Sequence, residues 1–128
     1  MSSYADNAKA SEIPITISVT AADFSRFQIT DLCSLLSNAL DNAIRACLQI
    51  PYTEGRYIHL KVYEKNEKLC INLANSYEEP PVFENNIPIS QRSGHGYGVQ
   101  SIISVVDKYQ GIYGFFAENG EFRFQASL

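Results

Sequence analysis

SLLSNALDNAIRA, residues 34–46, is the stretch that decides the fold. Within and around it Leu32, Leu35, Leu36, Ala39, Leu40, Ala43, Ile44 and Cys47 recur at three- and four-residue intervals, the spacing of one helical face. Thr30 is placed to cap the start and Pro51 closes the segment, so a long amphipathic helix is expected between them. At about 100° per residue the apolar stripe centres near Leu36 and Ala43, with Asn38, Asn42 and Arg45 on the opposite side. Asn38 and Asn42 stand one turn apart and Arg45 three residues further, so two amide oxygens and a guanidinium can meet one ligand. A neutral oxygen beside a cation suits Mg2+ and phosphate, because Mg2+ leaves most of its shell to water and substrate oxygens. A solvated polar face gives the same pattern, and the helix alone does not separate the two.

Upstream, Ile13, Ile15, Ile17 and Val19 alternate with polar residues as in a half-buried strand. Downstream, residues 56–64 and 69–74 read as two strands of a hairpin. Residues 76–95 carry Pro80, Pro81, Pro88 and Gly94 without a sustained period, so an irregular lid-like loop is expected there. Val99, Ile102, Ile103 and Val106 mark a second helix, with Gly111 as its C-terminal stop. A hairpin follows, built on Asn119 and Gly120, the pair a type I′ turn favours. This order implies an α+β domain of two layers, a mixed sheet covered on one face by helices.

The lid ends in Gly94, His95, Gly96, Tyr97 and Gly98, a GxGxG run placed directly before the second helix. Backbone N–H groups and the helix dipole there can hold an anion, although a flexible hinge uses the same glycines. The lysine of a Walker A loop is missing.

Taken together and in order, these segments resemble the ATP-binding domains of the gyrase, heat-shock-chaperone, histidine-kinase and MutL superfamily. SLLSNALDNAIRA resembles its N box, CINLANSY the strand end that carries the adenine-reading residue, and GHGYGV the second glycine box. The resemblance runs from Ile13 to Leu128, and is strongest to kinases with Asn as adenine reader and a lid ending in HGxG, such as peptide-sensing kinases of Gram-positive bacteria. It implies a Bergerat-type two-layer fold with an ATP lid. It implies that Asn42 coordinates Mg2+ accompanying ATP, that Asn38 lies at the phosphates, and that Arg45 is a basic phosphate contact. Asn75 would face the adenine amine, Gly94, Gly96 and Gly98 would form the phosphate turn, and Arg92 and His95 would touch the nucleotide from the lid. Two departures stand out. Ser76, Tyr77, Glu78 and Glu79 follow Asn75 where the first glycine box has DxGxG, and Asn38 stands where the ATPase branches carry a glutamate base. An amide cannot take a proton, so slow hydrolysis is expected and phosphoryl transfer to a protein nucleophile is favoured.

The expected function is therefore a sensor histidine kinase's catalytic domain, donating the γ-phosphoryl group of Mg-ATP to a histidine on a separate dimerisation domain, with a response regulator downstream. The alternatives are a non-catalytic interaction module of the same fold and a serine kinase resembling anti-sigma factors. A formal net charge of −4 without a basic cluster argues against nucleic acid and against an anionic membrane as partners. Three cysteines without CxxC spacing argue for a reducing, cytoplasmic setting. Residues 1–11 read as a disordered lead or a domain edge, and 12–128 as the ATP-binding domain.

Overall fold

In the computed structural model, which describes residues 12–20, 22–89 and 97–128, the alternating segment near the start forms β1 (Ile15–Val19). The long stripe forms α1 (Ile29–Leu48), and a single 3-10 turn, Thr53–Gly55, leads to β2 (Ile58–Lys65) and β3 (Lys68–Ser76). A short hairpin, β4 (Val82–Glu84) and β5 (Ile87–Ile89), precedes α2 (Tyr97–Lys108), and β6 (Ile112–Glu118) and β7 (Glu121–Ser127) finish the chain. Five strands make one sheet in the order β1-β2-β3-β7-β6, with β1 parallel to β2 and every other pairing antiparallel. The sheet is mixed and the domain is α+β, as expected.

Period-2 alternation decides which face the helices cover. Ile58, Leu60 and Val62 of β2, Leu69, Ile71 and Leu73 of β3, Phe115 of β6 and Phe124 and Ala126 of β7 are buried in one cluster with Leu35, Leu40, Ala43 and Cys47 of α1 and Ile102 and Val106 of α2. His59, Lys61, Arg123 and Gln125 alternate with them and are exposed. Full burial of each large aliphatic or aromatic chain stabilises by roughly 1.5–3 kcal/mol, so a one-residue slip of register would be costly along every strand.

Three hairpins share one turn chemistry: Asn66–Glu67, Asn85–Asn86 and Asn119–Gly120 all have positive φ at both central residues, the type I′ pattern. The middle one corrects the expectation of a wholly irregular lid. Pro88 pairs with Phe83 one step beyond the closing pair Glu84–Ile87, at a position where the ladder needs no N–H from it. A proline that reads as a breaker is therefore harmless there.

Two helix ends also differ from expectation. Thr30 lies inside the first turn of α1, because the helix begins at Ile29 and Gln28 precedes it without a side-chain cap. Instead the Gln28 N–H donates to Tyr109 Oη at 2.9 Å, Tyr109 Oη donates to Asp31, and Lys108 pairs with Asp31 at 2.8 Å. The start of α1 is thus tied to the end of α2. These two donors, Lys108 first and Tyr109 second, hold the Asp31 carboxyl below its ordinary value. At the end of α2 the left-handed residue is Gln110, with φ of 56°. Gly111 serves a different need, since a Cβ there would stand 2.4 Å from the Ser127 carbonyl oxygen.

Candidate nucleotide site

The buried arc of α1 comprises Leu32, Leu35, Ala39, Leu40, Ala43 and Cys47. Leu36 is only half-buried, so the arc is centred closer to Ala39 than the sequence suggested. Asn38 and Asn42 consequently border the arc instead of opposing it, and both are half-buried. The reason is α2, which packs along that flank of α1 and brings its first turn over the two amides. A Cβ on Gly98 would lie 3.4 Å from Asn38 Oδ1 and 3.5 Å from Asn42 Oδ1. The Asn38 NH2 group donates back to the Ser34 carbonyl at 2.7 Å, which leaves Oδ1 as the end that faces Gly98. Two amide oxygens and a helix N-terminus therefore meet at a glycine, an arrangement with oxygen ligands for a hard cation and a partial positive charge for an anion.

Arg45, three residues beyond Asn42, is half-exposed and pairs with Asp41 at 3.0 Å. An exposed pair one helical turn apart contributes little to stability, about 0.3–0.5 kcal/mol, and is readily rearranged. Arg92, Gly94, His95 and Gly96 lie outside the described residues.

Asn75 ends β3. It continues the inward row of Leu69, Ile71 and Leu73 and is 2% exposed, so an amide occupies a place where alternation calls for an apolar side chain. Asn75 and its neighbour Ser76 are the buried polar residues among those described. The Asn75 Nδ2 donates 2.9 Å to the Ser76 carbonyl. Cys47 of α1 reaches the same corner, with Sγ 3.3 Å from the Tyr57 carbonyl and 3.7 Å from that of Ser76. Asn42 lies five residues before Cys47 on the same helix, about 7.5 Å along its axis. Cys47 was legible only as one more position of the apolar stripe, and Ser76 only as a departure from a glycine box.

The β4–β5 hairpin is fastened beside this corner by aromatic packing. Phe83 lies 6.3 Å from Phe122, and Phe122 lies 6.2 Å from Phe115, ring centre to ring centre. The Tyr77 N–H donates to the Gly120 carbonyl at 3.1 Å and fixes the chain entering the hairpin.

A separate cleft of about 530 Å³ is lined by Tyr57, Phe116, Glu118, Asn119, Glu121, Arg123 and Gln125. It includes none of the amides that meet at Gly98. Its charges are largely satisfied internally: the Tyr57 phenol donates to Glu121 at 2.7 Å, and Arg123 pairs with Glu121. Burial, reinforced by that carboxylate, pushes the phenol up to about 12. His59, on the same exposed side, lies tilted against Tyr57 with ring centres 5.1 Å apart, as an ordinary strand histidine does. Among the described residues no cluster of three His, Cys, Asp or Glu could hold a metal, and no helix is long and apolar enough to cross a membrane.

The family profile described as GHKL domain matches residues 27–128, and the chain belongs to that family. GHKL domains bind ATP, typically with Mg2+. No curated protein matches the sequence. Among solved structures, the nucleotide-free catalytic domain of histidine kinase ThkA superposes with a TM-score of 0.75 at 17% identity, over 99% of this chain and 86% of that one. The mycobacterial sensor histidine kinase MprB gives a TM-score of 0.69 at 19% identity, over 99% and 91%. Full-length ShkA in complex with AMPPNP gives 0.69 at 19%, over 98% of this chain and 27% of that one. At such identities the likeness is one of fold.

Proposed function

We propose that this domain binds Mg-ATP at the corner between α1, the first turn of α2 and the end of β3, and donates the γ-phosphoryl group to a histidine on a separate dimerisation domain of a two-component sensor kinase. The observation that carries this reading is the meeting of Asn38 and Asn42 at Gly98. These residues fit the ion that accompanies ATP: Asn42 would hold it through an amide oxygen, and the ion would neutralise phosphate charge. Asn38 Oδ1 would orient a phosphate-bound water or the ion's own shell, and the N-terminus of α2 would face phosphate oxygens. Asn75 would receive the adenine amine. Arg45, Arg92, His95 and the glycines 94 and 96 belong to the same proposal as phosphate and lid contacts, and a response regulator would act downstream.

The absence of a carboxylate at Asn38 supports transfer over hydrolysis, since no group there takes a proton from water. A non-catalytic interaction module is the second reading. It is favoured by the SYEE sequence after Asn75, where a glycine box is expected, and by the neutral reader itself. An anti-sigma-factor-like serine kinase is the third. Incubation with labelled ATP and a histidine-bearing dimerisation fragment separates them: acid-labile phosphate on the fragment is expected, acid-stable phosphate would point to serine, and no nucleotide binding would leave the module.

A further inference from the structure

Asn75 raises a problem that a carboxylate would not. An amide offers an acceptor at one end and donors at the other, so a freely turning Asn75 could accept from an amine or donate to a carbonyl with equal ease. Building on the nucleotide reading above, we propose that the Ser76 main-chain carbonyl locks the Asn75 amide in one orientation, so that this neutral side chain selects a base with an exocyclic amine over one with a carbonyl in its place.

The lock consists of named contacts. Asn75 Nδ2 donates to the Ser76 carbonyl at 2.9 Å. That carbonyl cannot drift, because Ser76 is held from three sides. Its N–H donates to the Tyr57 carbonyl at 3.2 Å, its hydroxyl accepts from the Tyr57 N–H at 3.0 Å, and the Cys47 sulfur sits 3.6 Å from that hydroxyl. Ser76 is 5% exposed and Cys47 fully buried. The Ser76 hydroxyl thus stands in for a main-chain acceptor and prolongs the β2–β3 ladder by one rung.

Turning the Asn75 amide over would set Oδ1 against the Ser76 carbonyl, acceptor against acceptor, in a place with little water to relieve it. Leaving a buried polar group unpaired in this way disfavours the turned state by about tenfold or more. Among the described residues no side-chain nitrogen or oxygen is both buried and unpaired. Oδ1 is the end outside that hydrogen bond, and so the end left to accept from a base. A site built to pair with one pattern of donors rejects the analogue that leaves its polar groups unmatched far better than an apolar pocket rejects a change of size.

Inosine diphosphate tests the lock, because it differs from ADP in carrying a carbonyl where adenine carries the amine. Both nucleotides are titrated into the whole chain in the presence of Mg2+, for the wild type, Asn75→Ala and Asn75→Asp. The lock predicts ADP about tenfold or more tighter than inosine diphosphate in the wild type and a ratio within about threefold of one in Asn75→Ala; Asn75→Asp, whose carboxylate offers acceptors alone, should also prefer ADP but melt lower, because one of its oxygens then faces the Ser76 carbonyl. Equal affinities in the wild type, with a preference appearing only in Asn75→Asp, would show a turning amide and overturn the lock while leaving the nucleotide reading in place. An ADP preference that survives in Asn75→Ala also overturns it, since selection would then lie elsewhere. Binding of neither nucleotide to the wild type overturns both.

Discussion

Gly98 faces Asn38 across the α1–α2 contact with no side chain between them: a Cβ at Gly98 would stand 3.4 Å from Asn38 Oδ1 and as near to Asn42. That separation is ordinary van der Waals contact, so the glycine is not required to avoid a clash. What it preserves is the space in front of two amide oxygens.

Gly98→Ala separates these roles. Alanine is the better helix former by about 0.5–1 kcal/mol, so thermal melting should show equal or higher stability. The same methyl group occupies the space before the amides, and nucleotide affinity should fall by about tenfold, or roughly 1.4 kcal/mol. A variant both stabler and as tight as the wild type would remove Gly98 from the site.

Phe83→Ala tests the fastening of the lid hairpin. The ring is half-buried against Phe122, so the loss should amount to about 1–2 kcal/mol, less than for a fully buried phenylalanine. Hydrogen exchange should rise across residues 82–89 while β3 stays protected. Uniform loss of protection throughout the sheet would contradict a local role.

Acid stability should depend on Asp31. Its carboxyl is held below the ordinary 3.8 by Lys108 and Tyr109, so the native state binds this proton less readily than the unfolded chain does. The stabilisation is complete above the unfolded value and is lost as pH falls through the lower folded value. Melts of the wild type should therefore decline below pH 3.8, and Asp31→Asn should melt lower at neutral pH with a shallower acid decline. Parallel curves for the two proteins would exclude Asp31 as a contributor.

Much of this architecture is legible in the sequence because burial follows simple periods. The stripe from Leu32 to Cys47 yields α1, alternation yields β1, β2 and β3, and Asn119–Gly120 yields the last turn. The lid hairpin was hidden for a physical reason: Asn85–Asn86 accepts positive φ as Asn–Gly does, but the flanking strands are three residues each and include Pro88. The polar flank of α1 was visible as a pattern, while its meeting with Gly98 was not, because periodicity says nothing of which helix packs on which flank. Gly111 shows the same limit. Its need comes from the Ser127 carbonyl, sixteen residues away in sequence and beside it in space.

Asn42 decides whether the corner is a nucleotide site. Calorimetric titration of the wild type and Asn42→Ala with ADP and a non-hydrolysable ATP analogue, each with and without Mg2+, is the most direct test. The side chain borders the core without filling it, so the variant should melt within about 1 kcal/mol of the wild type. Saturable binding that Mg2+ strengthens in the wild type, and that loses its Mg2+ dependence in Asn42→Ala, is the predicted result. Equal, Mg2+-dependent affinity in both proteins, or no binding to the wild type at millimolar nucleotide, would contradict the account.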